Sequence, residues 1–206
     1  MNKGKFIVID GNGGCGKSTI INFLKEIYPD FHYTREPGGS TLSEDIRTVM
    51  MSENAREADG YTQFALVWAS RRDHIVNTIR PNLEKGISVV SDRFDSTTWS
   101  YQLFAQECKD LEKMAVDVRE LFLGDTKPDL YIYLDVDARE GKRRIDNRDR
   151  EKSHFHDQPV EYYEKTRAGF LDFAKRFPNV VTVDANAPLE EVKRVVKIEV
   201  DKILNN

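Results

Sequence analysis

A chain of 206 residues, 39% hydrophobic and 32% charged, has enough apolar side chains for one ordinary globular core. The net charge of −4 argues against a general binder of nucleic-acid polymers, which usually carries a basic surface. No apolar run is long enough to span a membrane, and the first residues lack the hydrophobic region of a secretory signal. Two cysteines, Cys15 and Cys108, suit a reducing compartment, so we expect a single cytoplasmic domain over residues 1–206.

The first predicted strand, residues 6–9, runs directly into a glycine-rich segment, and together they predict a phosphate-binding loop. Glycines let the backbone N–H groups turn toward an anion, Lys17 can reach the β- and γ-phosphates, and Ser18 can give its hydroxyl to Mg²⁺. Apolar spacing over 19–27 predicts a helix whose positive end faces the phosphates. The predicted nucleotide-binding residues are Gly11, Asn12, Gly13, Gly14, Cys15, Gly16, Lys17, Ser18 and Thr19.

Four more runs of β-branched or aromatic residues follow, at 31–33, 87–90, 130–134 and 180–183. Segments with helical periodicity separate them, which predicts an α/β fold with a five-stranded parallel sheet and helices on both faces. Between the second and third strands, Thr41 and Glu44 have the spacing of a capping box that opens a short helix, and a longer helix is predicted over 61–83. Ligands of such sheets bind beyond the carboxyl ends of the strands.

Those strand ends carry candidate functional residues. Asp92 ends the third strand, where its carboxylate can hold a water on Mg²⁺, accept a proton or merely cap the next helix. The adjacent Arg93 can grip a second phosphate with two hydrogen bonds. Among the other arginines at this edge, Arg71 is the strongest candidate because its helix neighbours are apolar, whereas His74 is predicted to be a core residue.

Six sequence blocks resemble the thymidylate kinase family of P-loop nucleoside monophosphate kinases in order and spacing. They are the phosphate loop, residues 34–39, 69–74 with 79–81, 92–94 with 101–102, 128–130 and 162–167. The resemblance covers nearly the whole chain. It implies a three-layer P-loop NTPase fold, transfer of the γ-phosphoryl group of ATP to dTMP to give dTDP, Mg²⁺ with the ATP, and a homodimer formed through helices over 61–83 and 96–122.

The resemblance also implies roles for individual residues. Arg93 would bind the acceptor phosphate, Arg71 would meet the pyrimidine edge, and Tyr101 would lie against the sugar and disfavour a ribose 2′-hydroxyl. The implied acceptor-binding residues are Glu36, Pro37, Arg47, Val67, Arg71, Arg93, Thr97, Thr98 and Tyr101. The implied metal ligands are Ser18 and Asp92, and the implied catalytic residues are Lys17, Asp92, Arg93 and, from a lid at about 142–158, Arg148 and Arg150.

Two positions depart from the family pattern. Gly13 stands where the family has an Asp or Glu directed at the acceptor sugar and phosphate, and Val67 stands where it has a phenylalanine that stacks on thymine. Loss of an aromatic stack costs about 1 kcal/mol, or roughly fivefold in affinity. We therefore expect activity on dTMP but only weak discrimination against other acceptor nucleotides.

Two other functional classes stay open from the sequence. A broader deoxynucleoside monophosphate kinase or a deoxynucleoside kinase can carry the same Asp-Arg pair after its third strand. A nucleotide-dependent switch protein would bind a partner instead of phosphorylating it. The switch is the weaker alternative, because the chain has no Asn-Lys-x-Asp guanine-reading motif and arginines crowd the expected acceptor side.

Overall fold

The computed structural model describes residues 3–55, 57–147 and 158–205. Five strands form one parallel sheet in the order β2-β3-β1-β4-β5. They are β1 (Phe6–Gly11), β2 (His32–Arg35), β3 (Val89–Asp92), β4 (Leu130–Asp135) and β5 (Val180–Asp184). The predicted five-stranded α/β sheet is confirmed, and each strand boundary lies within two residues of its predicted position.

Helices connect the strands in the described ranges. They are α1 (Lys17–Ile27), α2 (Thr41–Met51), α3 (Gly60–His74), α4 (Arg80–Glu84), α5 (Asp95–Thr98), α6 (Glu112–Leu123), α7 (Ala138–Asp146), α8 (Val160–Arg176) and α9 (Leu189–Leu204). A π-helical segment, Ile75–Ile79, joins α3 to α4, and another, Trp99–Ala105, extends α5. No helix of the described residues has the length and apolar character that crossing a membrane requires.

Alternate side chains of the central strand fill two apolar cores. Phe6 and Val8 belong to the core under α3, α6, α8 and the π-helical segment Trp99–Ala105, while Ile7 and Ile9 belong to the core under α1 and α9. This period of two follows from the pleat of a strand, and it explains why β1 is buried throughout. The sheet therefore lies between two helical layers.

Two local predictions are wrong. Ser40 rather than Thr41 caps α2, and the Glu44 carboxylate accepts a hydrogen bond from the Gly39 backbone N–H at 2.7 Å instead of closing a capping box. The helix expected over 96–122 is two helices, because the chain turns at Glu107, whose φ is 60°. By contrast, the stretch predicted as a helix over 61–83 is helical throughout.

The register of the sheet brings the functional strand ends together. Asp92 of β3 lies opposite Ile9 of β1 on one side and Arg35 of β2 on the other. The residues that follow each strand therefore emerge side by side at one edge. These are the phosphate loop after β1, the Glu36-Pro37 segment after β2, and Arg93 after β3.

Candidate active site

The phosphate loop connects β1 to α1, and residues 17–19 form the first turn of that helix. Gly14 and Gly16 adopt φ values of 80° and 93°, a region that glycine enters without steric cost. The side chain of Lys17 folds back over the loop, where its Nζ donates a hydrogen bond to the Gly11 carbonyl at 2.8 Å. The loop thus combines a helix N-terminus with an ammonium group, which is the chemistry of a phosphate site.

Arg93 has an uncommon backbone conformation for a residue with a side chain, with φ of 74°. Two hydrogen bonds hold this conformation: the Arg93 N–H donates to the Ile9 carbonyl at 3.0 Å, and the Ser91 hydroxyl donates to the Arg93 carbonyl at 2.8 Å. The guanidinium carbon lies 5.3 Å from the centre of the Tyr101 ring. Its Nη1 is 3.9 Å from the Asp10 carboxylate. Backbone strain at this residue is consistent with a functional position.

Asp10 is a buried carboxylate between the phosphate loop and Arg93. It accepts hydrogen bonds from the hydroxyls of Ser96 and Thr97, each at 2.7 Å. Burial raises the pKa of Asp10 above its usual range, while the charges of Arg93 and Lys17 and the two hydroxyls act in the opposite direction. Burial alone would lower the pKa of Arg93, but Tyr101, Asp10 and Asp92 raise it, so the guanidinium stays charged and can bind an anion.

A pocket of about 230 Å³ opens beside Arg93. Predicted acceptor residues that line it are Glu36, Pro37, Arg47, Val67, Arg93, Thr97 and Tyr101. Arg47 reaches it from α2, where its Nη1 donates to the Pro37 carbonyl at 2.9 Å. Two guanidinium groups with aliphatic and aromatic walls suit a small anion attached to an apolar, flat group.

The other two predicted acceptor residues, Arg71 and Thr98, lie behind this lining, and each is 1% exposed. Arg71 donates from Nε to Glu36 at 2.8 Å, from Nη1 to the Thr98 hydroxyl at 3.0 Å, and from Nη2 to the Phe94 carbonyl at 2.9 Å. Its guanidinium carbon is also 4.5 Å from the centre of the Trp68 ring. In this structure Arg71 therefore lies behind the pocket wall, where its hydrogen bond holds the pocket residue Glu36 in position.

His74 belongs to the same buried network. Its Nδ1 is 3.0 Å from the second Glu36 oxygen, and its Nε2 is 2.8 Å from the Thr34 hydroxyl. The ring is fully buried with both nitrogens partnered. The structure thus places His74 in the core.

The pocket also contains residues that sequence reasoning did not select. These are Met50, Met51, Gln63, Gln102, Tyr162, Tyr163 and Thr166. Gln102 and the three residues of α8 lie inside the sequence blocks that resemble the kinase family. Those blocks could therefore have identified them as candidate pocket residues. The two methionines and Gln63 lie outside those blocks and have no such signal.

Gly13 forms part of the same wall, and the space beside it is filled. A Cβ atom at this position would lie 2.4 Å from Cδ1 of Ile145 and 3.2 Å from Cε1 of Tyr163. The next residue, Gly14, packs as closely on α7, because a Cβ there would lie 2.2 Å from the Gly141 carbonyl oxygen. Apolar side chains therefore occupy the region where a carboxylate at position 13 would begin.

The predicted metal ligands have the right chemistry for Mg²⁺. Oδ1 of Asp92 is buried without a hydrogen-bond partner, and Ser18 is exposed in the first turn of α1. One carboxylate and one hydroxyl fit an ion that takes its remaining ligands from phosphates and water. Among the described residues, no group of three or more His, Cys, Asp or Glu side chains could hold a metal ion. The predicted lid arginines, Arg148 and Arg150, lie outside the described residues.

The chain as a whole has counterparts among known proteins. A family model described as Thymidylate kinase matches residues 9–196. The chain belongs to the thymidylate kinase family. The resemblance drawn from the six sequence blocks is therefore confirmed.

Individual thymidylate kinases match over nearly their whole length. That of Clostridium novyi (strain NT) is 34% identical over 203 residues, which cover 96% of this chain and 98% of that protein. That of Pediococcus pentosaceus is 36% identical over 210 residues, covering 98% and 99%. The crystal structure of thymidylate kinase from Ehrlichia chaffeensis superposes with a TM-score of 0.72 at 28% identity, covering 95% of this chain and 98% of that one.

As a member of the thymidylate kinase family, the protein is an enzyme that phosphorylates dTMP to dTDP. The relatives reported above are all thymidylate kinases. They give no support to a deoxynucleoside kinase or to a nucleotide-dependent switch protein.

Proposed function

We propose that the protein transfers the γ-phosphoryl group of ATP to dTMP, with the donor on the phosphate loop and the acceptor in the pocket beside Arg93. The observation that carries this proposal is the backbone bond from Arg93 N–H to the Ile9 carbonyl, at 3.0 Å. It fixes the arginine next to the strand that leads into the donor loop. Two phosphates gripped from adjacent strand ends would face each other, as an in-line transfer requires.

The residues that line the pocket would bind the phosphate, the sugar and the base of the acceptor. Arg93 binds the acceptor phosphate, with Arg47 as a second cation at the pocket wall. Tyr101 lies against the sugar, and Thr97 and Val67 border the base. Glu36 and Pro37 complete the wall, and Arg71 and Thr98 act on the acceptor through Glu36 and the backbone after Arg93.

Ser18 and Asp92 would hold Mg²⁺ together with the donor phosphates. The ion would neutralise charge on the phosphates during transfer. Lys17 contributes a second positive charge from the loop. Arg148 and Arg150, from the proposed lid at about 142–158, would add charge as the transferred group loses its bond to the donor.

A direct assay tests the proposed function. The protein is incubated with ATP and Mg²⁺ and, in separate reactions, with thymidine, dTMP, dUMP or dGMP, while ADP release is followed. We expect release with dTMP. ADP release with thymidine but with none of the three monophosphates would identify a deoxynucleoside kinase. Equal rates with dTMP, dUMP and dGMP would identify a broad deoxynucleoside monophosphate kinase. The proposal would be overturned if no acceptor led to ADP release.

Acceptor selectivity is expected to be shallow, because Val67 cannot stack on the base and Gly13 offers no carboxylate. Each missing contact is worth on the order of 1 kcal/mol, so selectivity should be relaxed by about ten- to thirtyfold. Val67→Phe should recover part of it, measured as the kcat/KM ratios of dTMP to dUMP and to dGMP. Ile198→Phe, at a 40% exposed position of α9, is the control. A parent enzyme that already rejects dUMP and dGMP several thousandfold would contradict this expectation.

A homodimer is the proposed assembly. Large apolar side chains are exposed on α3 and α6, among them Tyr61 at 46%, Met114 at 53% and Leu121 at 75%. Burial of such side chains against a second copy would remove them from water. We expect a dimer by sedimentation at micromolar concentration and a shift toward monomer for Leu121→Glu, but not for the control Leu189→Glu on α9. A monomeric parent would refute the assembly.

The proposed location is the cytoplasm. Cys15 and Cys108 are both buried free thiols, which suits a reducing compartment. Fractionation of cells expressing the protein tests this proposal, and recovery outside the cytoplasmic fraction would overturn it.

A further inference from the structure

Asn12 lies in the phosphate loop, and its side chain reaches the beginning of α8. Its Nδ2 donates a hydrogen bond to the Tyr163 carbonyl at 3.1 Å, across 151 positions of the chain. Asn12 is 1% exposed, and its Oδ1 is buried without a partner. Burying the amide oxygen without a hydrogen-bond partner costs free energy of folding. The hydrogen bond that the amide nitrogen makes to Tyr163 therefore calls for a functional explanation.

The adjacent loop residue contacts the same turn of α8. The edge of the Tyr163 ring lies 3.2 Å from the place of a Cβ on Gly13, and Ile145 of α7 lies closer still. Tyr163 and Ile145 belong to one small apolar cluster with Ala138. The Asn12 amide and the Gly13 backbone thus hold the phosphate loop against the start of α8 through two different kinds of contact.

This turn of α8 is a wall of the acceptor pocket. Tyr162, Tyr163 and Thr166 all line it. The Tyr162 ring packs edge-on against Tyr101 with ring centres 6.0 Å apart, and Tyr101 in turn lies under the Arg93 guanidinium. If the wall at 162–166 moved, Tyr101 and the Arg93 guanidinium, which is proposed to bind the acceptor phosphate, would therefore move with it.

We propose that Asn12 is a positioning residue for the acceptor pocket, because its side-chain amide ties the pocket wall at 162–166 to the donor phosphate loop. The inference rests on the proposed function, in which this pocket binds dTMP. In this role the side chain of Asn12, predicted above as a nucleotide-binding residue, would bind neither nucleotide directly. Its effect passes through Tyr163 and Tyr162, whereas the backbone of the loop binds the donor.

The test is Asn12→Ala, assayed for kcat and for KM with ATP and with dTMP. We expect the KM for dTMP to rise about fivefold, the effect of losing one buried hydrogen bond. The KM for ATP should stay within about twofold, because backbone N–H groups bind the donor phosphates. Asn22→Ala, the same change at an exposed position of α1, should alter neither constant. A purely structural role would lower the melting temperature and kcat and leave the KM for dTMP unchanged.

The outcomes separate this inference from the proposed function. An unchanged KM for dTMP, or a KM for ATP that rises as much as that for dTMP, would overturn the role of Asn12. Asn12→Ser, whose hydroxyl is too short to span to Tyr163, is expected to reproduce the alanine result and serves if the alanine variant does not fold. A parent enzyme that releases no ADP with ATP and dTMP would instead overturn the proposed function.

Discussion

Replacement of Lys17 by alanine is expected to lower kcat about a thousandfold, because the ammonium group stabilises charge that develops on the phosphates during transfer. The melting temperature should change little. In the structure the Lys17 side chain is only half-buried, and its main contact is one hydrogen bond to the Gly11 carbonyl. The measurement is ADP release at saturating ATP and dTMP, together with thermal unfolding of the same preparation.

Lys25→Ala is the matched control, since Lys25 is an exposed lysine in the last turn of the same helix. It should retain the parent rate. A Lys17→Ala enzyme with near-native kcat would mean that the loop does not hold the donor phosphates. A large loss of thermal stability would instead assign Lys17 a structural role.

Arg93→Lys should produce the second largest effect, a fall of about a hundredfold in kcat/KM for dTMP. A guanidinium binds a phosphate through two parallel hydrogen bonds, which an ammonium group cannot reproduce. Lysine at this position must also keep the positive φ of the backbone. We expect a higher KM for dTMP and a lower kcat, with a much smaller change in the KM for ATP.

Arg194→Lys, at an exposed position of α9, is the control for this substitution. If ATP affinity fell in Arg93→Lys while the KM for dTMP stayed constant, the donor and acceptor subsites would have to be exchanged. Steady-state kinetics with each substrate varied in turn distinguishes these results.

Sequence reasoning succeeded for groups whose position follows from local rules. A glycine-rich loop between a strand and a helix has one main geometry, so the place of Lys17 could be predicted from its neighbours. Parallel strands end at one edge, and this rule brought Asp92 and Arg93 beside the loop. Both inferences needed only the order of strands and helices along the chain.

The sequence could not predict which side chains face the pocket and which are buried behind its wall. Arg71 is on the expected helix, yet hydrogen bonds to Glu36, Thr98 and the Phe94 carbonyl hold it behind the wall. Helical spacing gives the direction of a side chain but not the partners that other elements bring to it. The filling of the space beside Gly13 by Ile145 and Tyr163 is likewise a product of tertiary packing between distant segments.

β1 occupies the centre of the sheet, with β3 as its direct neighbour. Adjacent strands are spaced about 4.8 Å apart, and the two segments proposed to bind the donor and acceptor phosphates follow these two strands. In the proposed arrangement, the separation of donor and acceptor is therefore set by backbone hydrogen bonds between two largely buried strands. Substitutions around the pocket would then change which base is accepted without changing the distance between the two phosphates. Such an arrangement would allow acceptor preference to change during evolution while the residues that carry out the transfer stay in place.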